Sequence, residues 1–376
     1  MKVIFFLIDA RDAKRYYLDV LPDVLENADV TILIEGSEEA TNLHEMGIKF
    51  PIQVMGNKSI TQLEEMVGKA DVLFINGQRI PDIVITLLAH RIGVKVAYLQ
   101  HGMYIPYMKR NAAFFLKDLY KSWRYAKYSM IASKVDENSK LLFSLIRSHL
   151  IDGVRDYKFR KYDGFPDISL VFSEYWAEWH KEHYFNSEYD QFSIVGNPEP
   201  TRFEPYEFGS EYITYCYQTL IEDGRIEKKY LLNKIDEIID WTTKNNKNLI
   251  VKTHPRMSEE VQDYLESRKV QLVLDKLPVT DIVIGHYSSL MPLWAYYGST
   301  VFSLELKDHC ANIDESIEKT SISISSLDQI AEYSHNSVSN ENRIKKNVKY
   351  YFNYDMEYSS NVWEVLSGSR FLQKRN

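Results

Sequence analysis

Cysteine is scarce. Only Cys216 and Cys310 occur in 376 residues, with no spacing that would hold a metal or imply a disulfide framework. Cys216 lies inside an apolar run, so a reduced structural thiol is expected there. Long hydrophobic runs are missing as well: no stretch approaches the roughly 20 apolar residues of a membrane span. The opening run "VIFFLI", from Val3, is short and charge follows it. It is too brief for the apolar core of a secretory signal and reads as a first buried strand. An excess of positive charge is absent too. The formal net charge is −8, so no global basic field points to nucleic acid as a partner. The patterns G-x-G-x-x-G and G-x-x-x-x-G-K-[ST] do not occur, which argues against dinucleotide and P-loop phosphate sites. What remains is the expectation of a soluble, cytoplasmic, globular chain.

With 45% hydrophobic residues, the chain has core enough for two domains. Aromatics reach 13%, with 27 tyrosines; these suit sugars and flat ligands, though most such residues belong to cores and boundaries. Strand-like runs alternate with helical patterns. The first half reads "VIFFLI", "VTILIEG", "DVLFINGQ", "VKVAYLQHG", "ISLVFSEYW" and "FSIVGNPEP" as strands, with "YYLDVLPDVLEN" as one helix running through Pro22. The stretch "GNPEPTRFEPYEFGS" collects glycine, proline and polar residues and marks a boundary. The rhythm then restarts with "YITYCYQ", "LIVKTHP", "VQLVLD", "DIVIGHYSS" and "TVFSLEL". Such alternation is the pattern of parallel sheets covered by helices. It predicts an α/β chain of two Rossmann-like domains, 1–200 and 201–340, facing across a cleft, with 341–376 helical and packing back on the first. Ligands of such sheets bind outside the carboxyl ends of the strands, so chemistry is expected just after strands.

Four constellations meet that expectation. In "LIVKTHPRMS", Lys252, His254 and Arg256 crowd one strand end as nitrogen donors, and Pro255 ends the ladder pairing and sets the turn. In "GHYSSLMPLWAYYG", Gly285, His286, Ser288 and Ser289 lie between a strand and a helix. Ser289 is the expected N-cap, and Pro292 fits the first turn. Free amides and two hydroxyls there suit an anion. In "YQTLIEDGRI", Glu222 and Asp223 precede Gly224; this is either a plain turn signal or a carboxylate serving as nucleophile or base. In the first half, Gln100, His101 and Gly102, then Glu174, Arg79 and Arg11, each follow a strand. Singly these are ordinary loop polarity; together they repeat the strand-end rule.

The order E-D-G, then H-P, then S-S before a helix resembles the bacterial CMP-sugar transferases of GT-B fold: sialyltransferases, polysialyltransferases and Kdo transferases. The residues are Glu222-Asp223-Gly224, His254-Pro255 and Ser288-Ser289. The resemblance covers the second domain best, and motif placement is closest to the retaining β-Kdo transferases. It implies that His254 and the serines hold the CMP phosphate and that an acid of the E-D-G motif performs catalysis. Asp223 would then be the nucleophile of a retaining reaction, or Asp223 or Glu222 the base of an inverting one.

No two aspartates are spaced D-x-D, so the leaving phosphate is expected to be neutralised by protein donors, with no metal and no cofactor. Lys252, His254, Ser288 and the helix amides are candidates. His101, Arg11 and Arg79 are placed to meet a sugar carboxylate, and Glu305 to accept ribose hydroxyls. The implied donor is a CMP-activated 2-keto sugar acid, Kdo or a sialic acid type. The implied acceptor is a surface glycan, free or lipid-linked. The segment 109–127 mixes Lys109, Arg110, Lys117, Lys121, Arg124 and Lys127 with aromatics. It is either a basic face for the cytoplasmic side of the inner membrane or an ordinary solvated helix. Two alternatives stay open: transfer of a polyol phosphate from CDP-glycerol or CDP-ribitol, and a non-catalytic glycan-binding module.

Overall fold

The computed structural model describes residues 1–56, 58–77, 79–102, 165–185, 188–306, 314–333, 337–368 and 371. The basic aromatic segment at 109–127, Gln78 and Cys310 lie outside them. The chain divides into two compact units. The first holds Met1–His101, the segment ending at Pro198, and the chain from Asp355; the second holds Glu199–Tyr354 together with a short stretch that begins at Gly102.

The first unit is built on a seven-stranded parallel sheet. Its strands are β1 (Lys2–Leu7), β2 (Asp29–Ile34), β3 (Ile52–Val54), β4 (Val72–Ile75), β5 (Lys95–Leu99), β6 (Ile168–Val171) and β7 (Phe192–Ile194), in the order β3-β2-β1-β4-β5-β6-β7. Side chains alternate faces along a strand, and the β1 run shows it. Val3, Phe5 and Leu7 enter one core with Ile32, Phe74 and Ala97. Ile4, Phe6 and Ile8 enter the other with Leu33, Leu73 and Tyr98. Both faces are covered, which is why β1 and β4 are continuous apolar runs and not alternating ones.

The second unit holds β8 (Pro205–Glu207), β9 (Tyr212–Cys216), β10 (Asn248–Lys252), β11 (Gln271–Val273), β12 (Leu277–Val279), β13 (Ile282–Gly285), β14 (Thr300–Leu304) and β15 (Ile322–Ile324). Six of these form a parallel sheet in the order β11-β10-β9-β13-β14-β15, while β8 and β12 pair separately. The strands β3, β8, β12 and β15 carry no clear signal in the sequence. Each is three residues long.

Two helical expectations change. Pro22 does not sit inside a helix: a π-helical turn, Lys14–Leu18, ends before it, and Pro22 opens a new helix, Pro22–Asn27. Its missing N–H costs nothing at that position. The stretch 341–376, expected to pack on the first domain as a whole, breaks at Asn353, which takes φ 51 and ends the preceding helix in the left-handed manner. Helix Ser337–Phe352 packs on helices Met291–Tyr296 and Glu315–Thr320 of the second unit. Helix Tyr358–Ser367 packs on helix Pro22–Asn27 of the first, where Ser359 Oγ accepts the Asp23 N–H at 2.9 Å. Among the described residues no helix is long and apolar enough to cross a membrane.

Phe5 is fully buried and stacks on Tyr17 at 4.3 Å. Truncation leaves a cavity that a rigid sheet cannot close. Phe5→Ala is expected to cost about 3–5 kcal/mol, read as a lowered urea midpoint; a loss under about 1 kcal/mol would contradict this packing.

Candidate active site

Three motif loops leave the carboxyl ends of three adjacent strands. E-D-G follows β9, K-T-H-P-R follows β10 and H-Y-S-S follows β13, and the registers run Lys252 beside Cys216 and Ile284 beside Tyr215. The order of the sheet reverses between β9 and β13, the position at which open parallel sheets bind ligands. The two loops flanking the reversal are joined by Gln218, whose Oε1 accepts the Tyr287 N–H at 3.1 Å.

The E-D-G and H-P loops are bonded to each other. Glu222 Oε1 accepts the Ser258 N–H at 2.9 Å, at the start of helix Glu259–Ser267. The Tyr217 hydroxyl donates to both Glu222 oxygens, at 2.9 and 3.0 Å. Asp223 Oδ1 accepts from Arg256 Nη1 at 2.8 Å, and its Oδ2 accepts from Thr219 Oγ1 at 3.2 Å. Arg256 Nη2 donates to the same threonine at 2.9 Å. Gly224 closes the turn at φ 62, a conformation other residues reach only with strain. Burial pulls the Asp223 carboxyl upward, but the hydrogen bond and charge of Arg256, the charge of Arg225 and the Thr219 hydroxyl outweigh it and hold the group below its ordinary value. Asp223 is thus an ionised group already engaged by a guanidinium, which lowers both its basicity and its nucleophilicity.

His254 sits half-buried at the head of a turn in which Met257 N–H bonds His254 O at 2.9 Å, with exposed Pro255 presetting the second position. Its Nδ1 accepts the Arg256 N–H at 3.1 Å. The neutral ring therefore carries its proton on Nε2, as a donor. Lys252 does not join it as a free cation. The side chain is 4% exposed, its ammonium donates to the Leu274 and Thr253 carbonyls, and it lies over the Phe203 ring at 5.2 Å. Its positive charge is spent on closing the end of β10.

The third loop departs further from the sequence reading. His286 is 1% exposed. Its Nδ1 must donate, because its partner at 2.8 Å is the Leu304 carbonyl; Nε2 then accepts from the Tyr215 hydroxyl at 2.9 Å. Burial lowers it to about 4, against the opposing bond to Leu304, so it is a neutral core residue and not a phosphate donor. Gly285 is set by packing: a Cβ would stand 2.8 Å from Met291 Sδ and 3.4 Å from Cys216 Cβ. Ser289 is not the helix cap. Leu290 occupies that place before helix Met291–Tyr296, and Ser288 Oγ accepts the Leu290 N–H at 3.2 Å. Ser288 also hydrogen-bonds the Cys216 thiol, which burial pushes up to about 11, so Cys216 is a buried neutral thiol. Ser289 makes no hydrogen bond among the described residues and is half-buried. Glu305 is exposed beyond β14.

In the first unit the candidates separate. Gln100 is 3% exposed and its Oε1 accepts the Phe172 N–H at 3.0 Å, tying the ends of β5 and β6. His101 is exposed, with its ring edge on Tyr16 at 5.3 Å, and Gly102 follows at φ 72. Glu174 is exposed in the first turn of helix Glu174–His183. Arg11 forms a two-point pair with Asp9. Arg79 donates to Asp82 at 2.7 Å and to Asn76 at 2.8 Å. Neither arginine is an unengaged cation. Sequence reading did not assign Tyr217, Thr219, Gln218 or Ser258; hydroxyls and amides at loop starts carry no spacing that marks them.

No protein-family model matches the chain, and no curated protein matches it. Solved structures do. The glycotransferase of kitacinnamycin aligns over 99% of this chain and 99% of its own, at 10% identity and TM-score 0.53. A putative UDP-N-acetylglucosamine 2-epimerase from Listeria monocytogenes aligns over 97% and 96%, at 11% identity and TM-score 0.54. MurG of Acinetobacter baumannii aligns over 97% and 98%, at 8% identity and TM-score 0.50. At such identities the likeness establishes the fold: two parallel-sheet α/β domains of the GT-B class.

The pair between Asp223 and Arg256 gives a pH signature. The folded carboxyl lies below its ordinary 3.8, so its stabilisation is present above that value and is lost as pH falls through the folded one. Arg256 is 46% exposed, and solvent screening limits the pair to about 1 kcal/mol. Asp223→Asn is expected to be destabilised by about that amount at pH 7 and to converge on the wild type as pH falls below the folded value in denaturant titrations. A gap that persists at low pH would refute the assignment.

Proposed function

We propose that this chain is a glycosyltransferase that takes a nucleotide-activated sugar on the loops at the reversal of the second sheet. The observation that carries the reading is the joining of motif loops there: E-D-G and H-P are hydrogen-bonded to each other, and S-S lies on the neighbouring strand end. His254 Nε2–H and the Ser289 hydroxyl are the donors for the nucleotide phosphate. Negative charge grows on that phosphate as the glycosidic bond breaks, so fixed donors bind the transition state more tightly than the ground state. Asp223 and Glu222 hold the H-P turn in register for that work. A carboxylate already paired with Arg256 supports this bracing role better than a nucleophile's.

The motif order favours a CMP-linked 2-keto sugar acid, Kdo first, transferred to a bacterial surface glycan or its lipid-linked precursor. The similar solved structures include one named for UDP-N-acetylglucosamine, so that donor belongs in the comparison. The test is release of free nucleotide from CMP-Kdo, CMP-sialic acid, UDP-N-acetylglucosamine and CDP-glycerol. Turnover of a CMP-sugar is expected, with His254→Ala lowering kcat by about 10²-fold, the range for loss of one such donor. Use of CDP-glycerol alone would overturn the donor class. A sugar-sized covalent adduct that vanishes in Asp223→Asn would restore Asp223 as nucleophile.

A further inference from the structure

In the second unit the pairing of β14 with β15 starts only at Phe302 and Ile322. Among the described residues, Thr300 and Val301 at the start of β14 therefore have no strand beside them on that edge. A cavity of about 40 Å³ opens there, with Thr300 and Ile322 in its lining. It lies at the amino end of β14, whereas the motif loops leave the carboxyl ends of β9, β10 and β13. Because β14 runs parallel to β13, the cavity and the motif loops occupy opposite ends of the same sheet. Ile344, buried on helix Ser337–Phe352, forms an apolar wall with Ala295 and Ile322. Tyr333 forms another, its ring set edge-on to Phe302 at 5.8 Å.

Two hydroxyl residues belong to the same lining. Ser299 follows the turn at Gly298, where φ is 96, and its N–H bonds the Trp294 carbonyl at 3.0 Å. The residue is 8% exposed, yet its Oγ has no hydrogen-bond partner. Buried polar groups without partners are rare enough to require a reason. Thr300 beside it is half-buried, and its hydroxyl makes no hydrogen bond among the described residues. At the mouth stand Glu341 and Lys345, both exposed and one helical turn apart. Opposite charges there set any ionic ligand against one like charge. The mouth therefore suits a neutral ligand with neighbouring hydroxyls, the carboxylate accepting from one and the ammonium donating to the next.

We propose that this cavity binds the acetamido group of an N-acetylated sugar. One water needs about 10–15 Å³ of such space, so the cavity takes roughly three or four non-hydrogen atoms, the size of an acetyl group. The methyl meets Ala295, Ile322 and Ile344, and the carbonyl accepts from the Ser299 or Thr300 hydroxyl. A bound carbonyl supplies the partner that these hydroxyls lack. A hydroxymethyl group would bring no methyl to the apolar walls, and a carboxylate would bring a charge against them at a high desolvation cost. The sugar ring stays at the mouth, with Tyr333 on one side and its hydroxyls toward Glu341 and Lys345. The site is separate from the motif loops and stands whether or not they transfer a sugar. It gives the second unit a hold on an N-acetylated glycan away from the reaction centre.

The test is saturation-transfer NMR titration of the full chain with N-acetylglucosamine, N-acetylgalactosamine, glucosamine, glucose and acetamide. At least one N-acetylated sugar is expected to bind, with transfer strongest at its acetyl methyl, and to bind at least about ten-fold more tightly than glucose or glucosamine. Ser299→Ala is expected to weaken that binding by about three- to ten-fold. Lys345→Ala, at an exposed position, is expected to weaken it by about three-fold or more. If Ser299→Ala proves unfolded by circular dichroism, Lys345→Ala carries the test. Absence of transfer from both N-acetylated sugars at roughly 10 mM overturns the proposal, as does glucose binding equally tightly. Binding that the folded variants leave unchanged puts the sugar elsewhere on the chain and overturns it too. Acetamide binding as tightly as the sugars would strike out the sugar ring and with it the ligand class. None of these results depends on turnover of a nucleotide sugar, so the proposal and the transferase reading fail separately.

Discussion

The bond between Glu222 and the Ser258 amide, with the Asp223–Arg256 pair beside it, is the constraint on which the second unit's strand ends depend. Parallel strands cannot be joined by tight turns, so each loop leaves the sheet independently and has no neighbour to hold it. Here two such loops hold one another. The carboxylates satisfy a helix-start amide and a guanidinium, and the backbone of the same turn fixes the His254 tautomer through the Arg256 N–H. One cluster of bonds therefore decides both where the turn sits and which ring nitrogen carries the proton.

The same logic sorts charge from function across both units. Lys252 ends a strand and His286, Gln100 and Arg79 follow strands, yet each is consumed by internal partners. A buried ammonium or imidazole must be matched within the protein, and strand ends offer unpaired carbonyls in quantity. Polar residues there serve two needs: closing the sheet, and meeting a ligand. Only bonding, not position, separates them.

This explains what was legible in the sequence. The long buried strands could be read because continuous apolar runs such as Val3–Ile8 and Val72–Ile75 are what two-sided burial demands. The grouping of E-D-G, H-P and S-S at three adjacent strand ends was legible from their placement after such runs. The partners were not. Nothing in "GHYSS" shows that His286 turns inward to Leu304 while Ser289 does not, and nothing in "IDARDAKR" shows that Asp9 takes Arg11 while the Asp12 carboxylate faces Arg79 at 3.7 Å. The first outcome depends on Leu304, 18 residues beyond His286, and leaves no local pattern.

The last helix carries a consequence for the chain in time as well as in space. Tyr358, Val362 and Leu366 belong to the same core as Val3, Phe5 and Leu7, and the Asp23–Ser359 bond spans 336 residues. A ribosome delivers the first sheet early, but the side chains that seal one of its faces arrive only after the whole second unit has been made. The first unit to be synthesised is therefore the last to be completed. Until then the part of that core which Tyr358, Val362 and Leu366 cover lacks its last side chains.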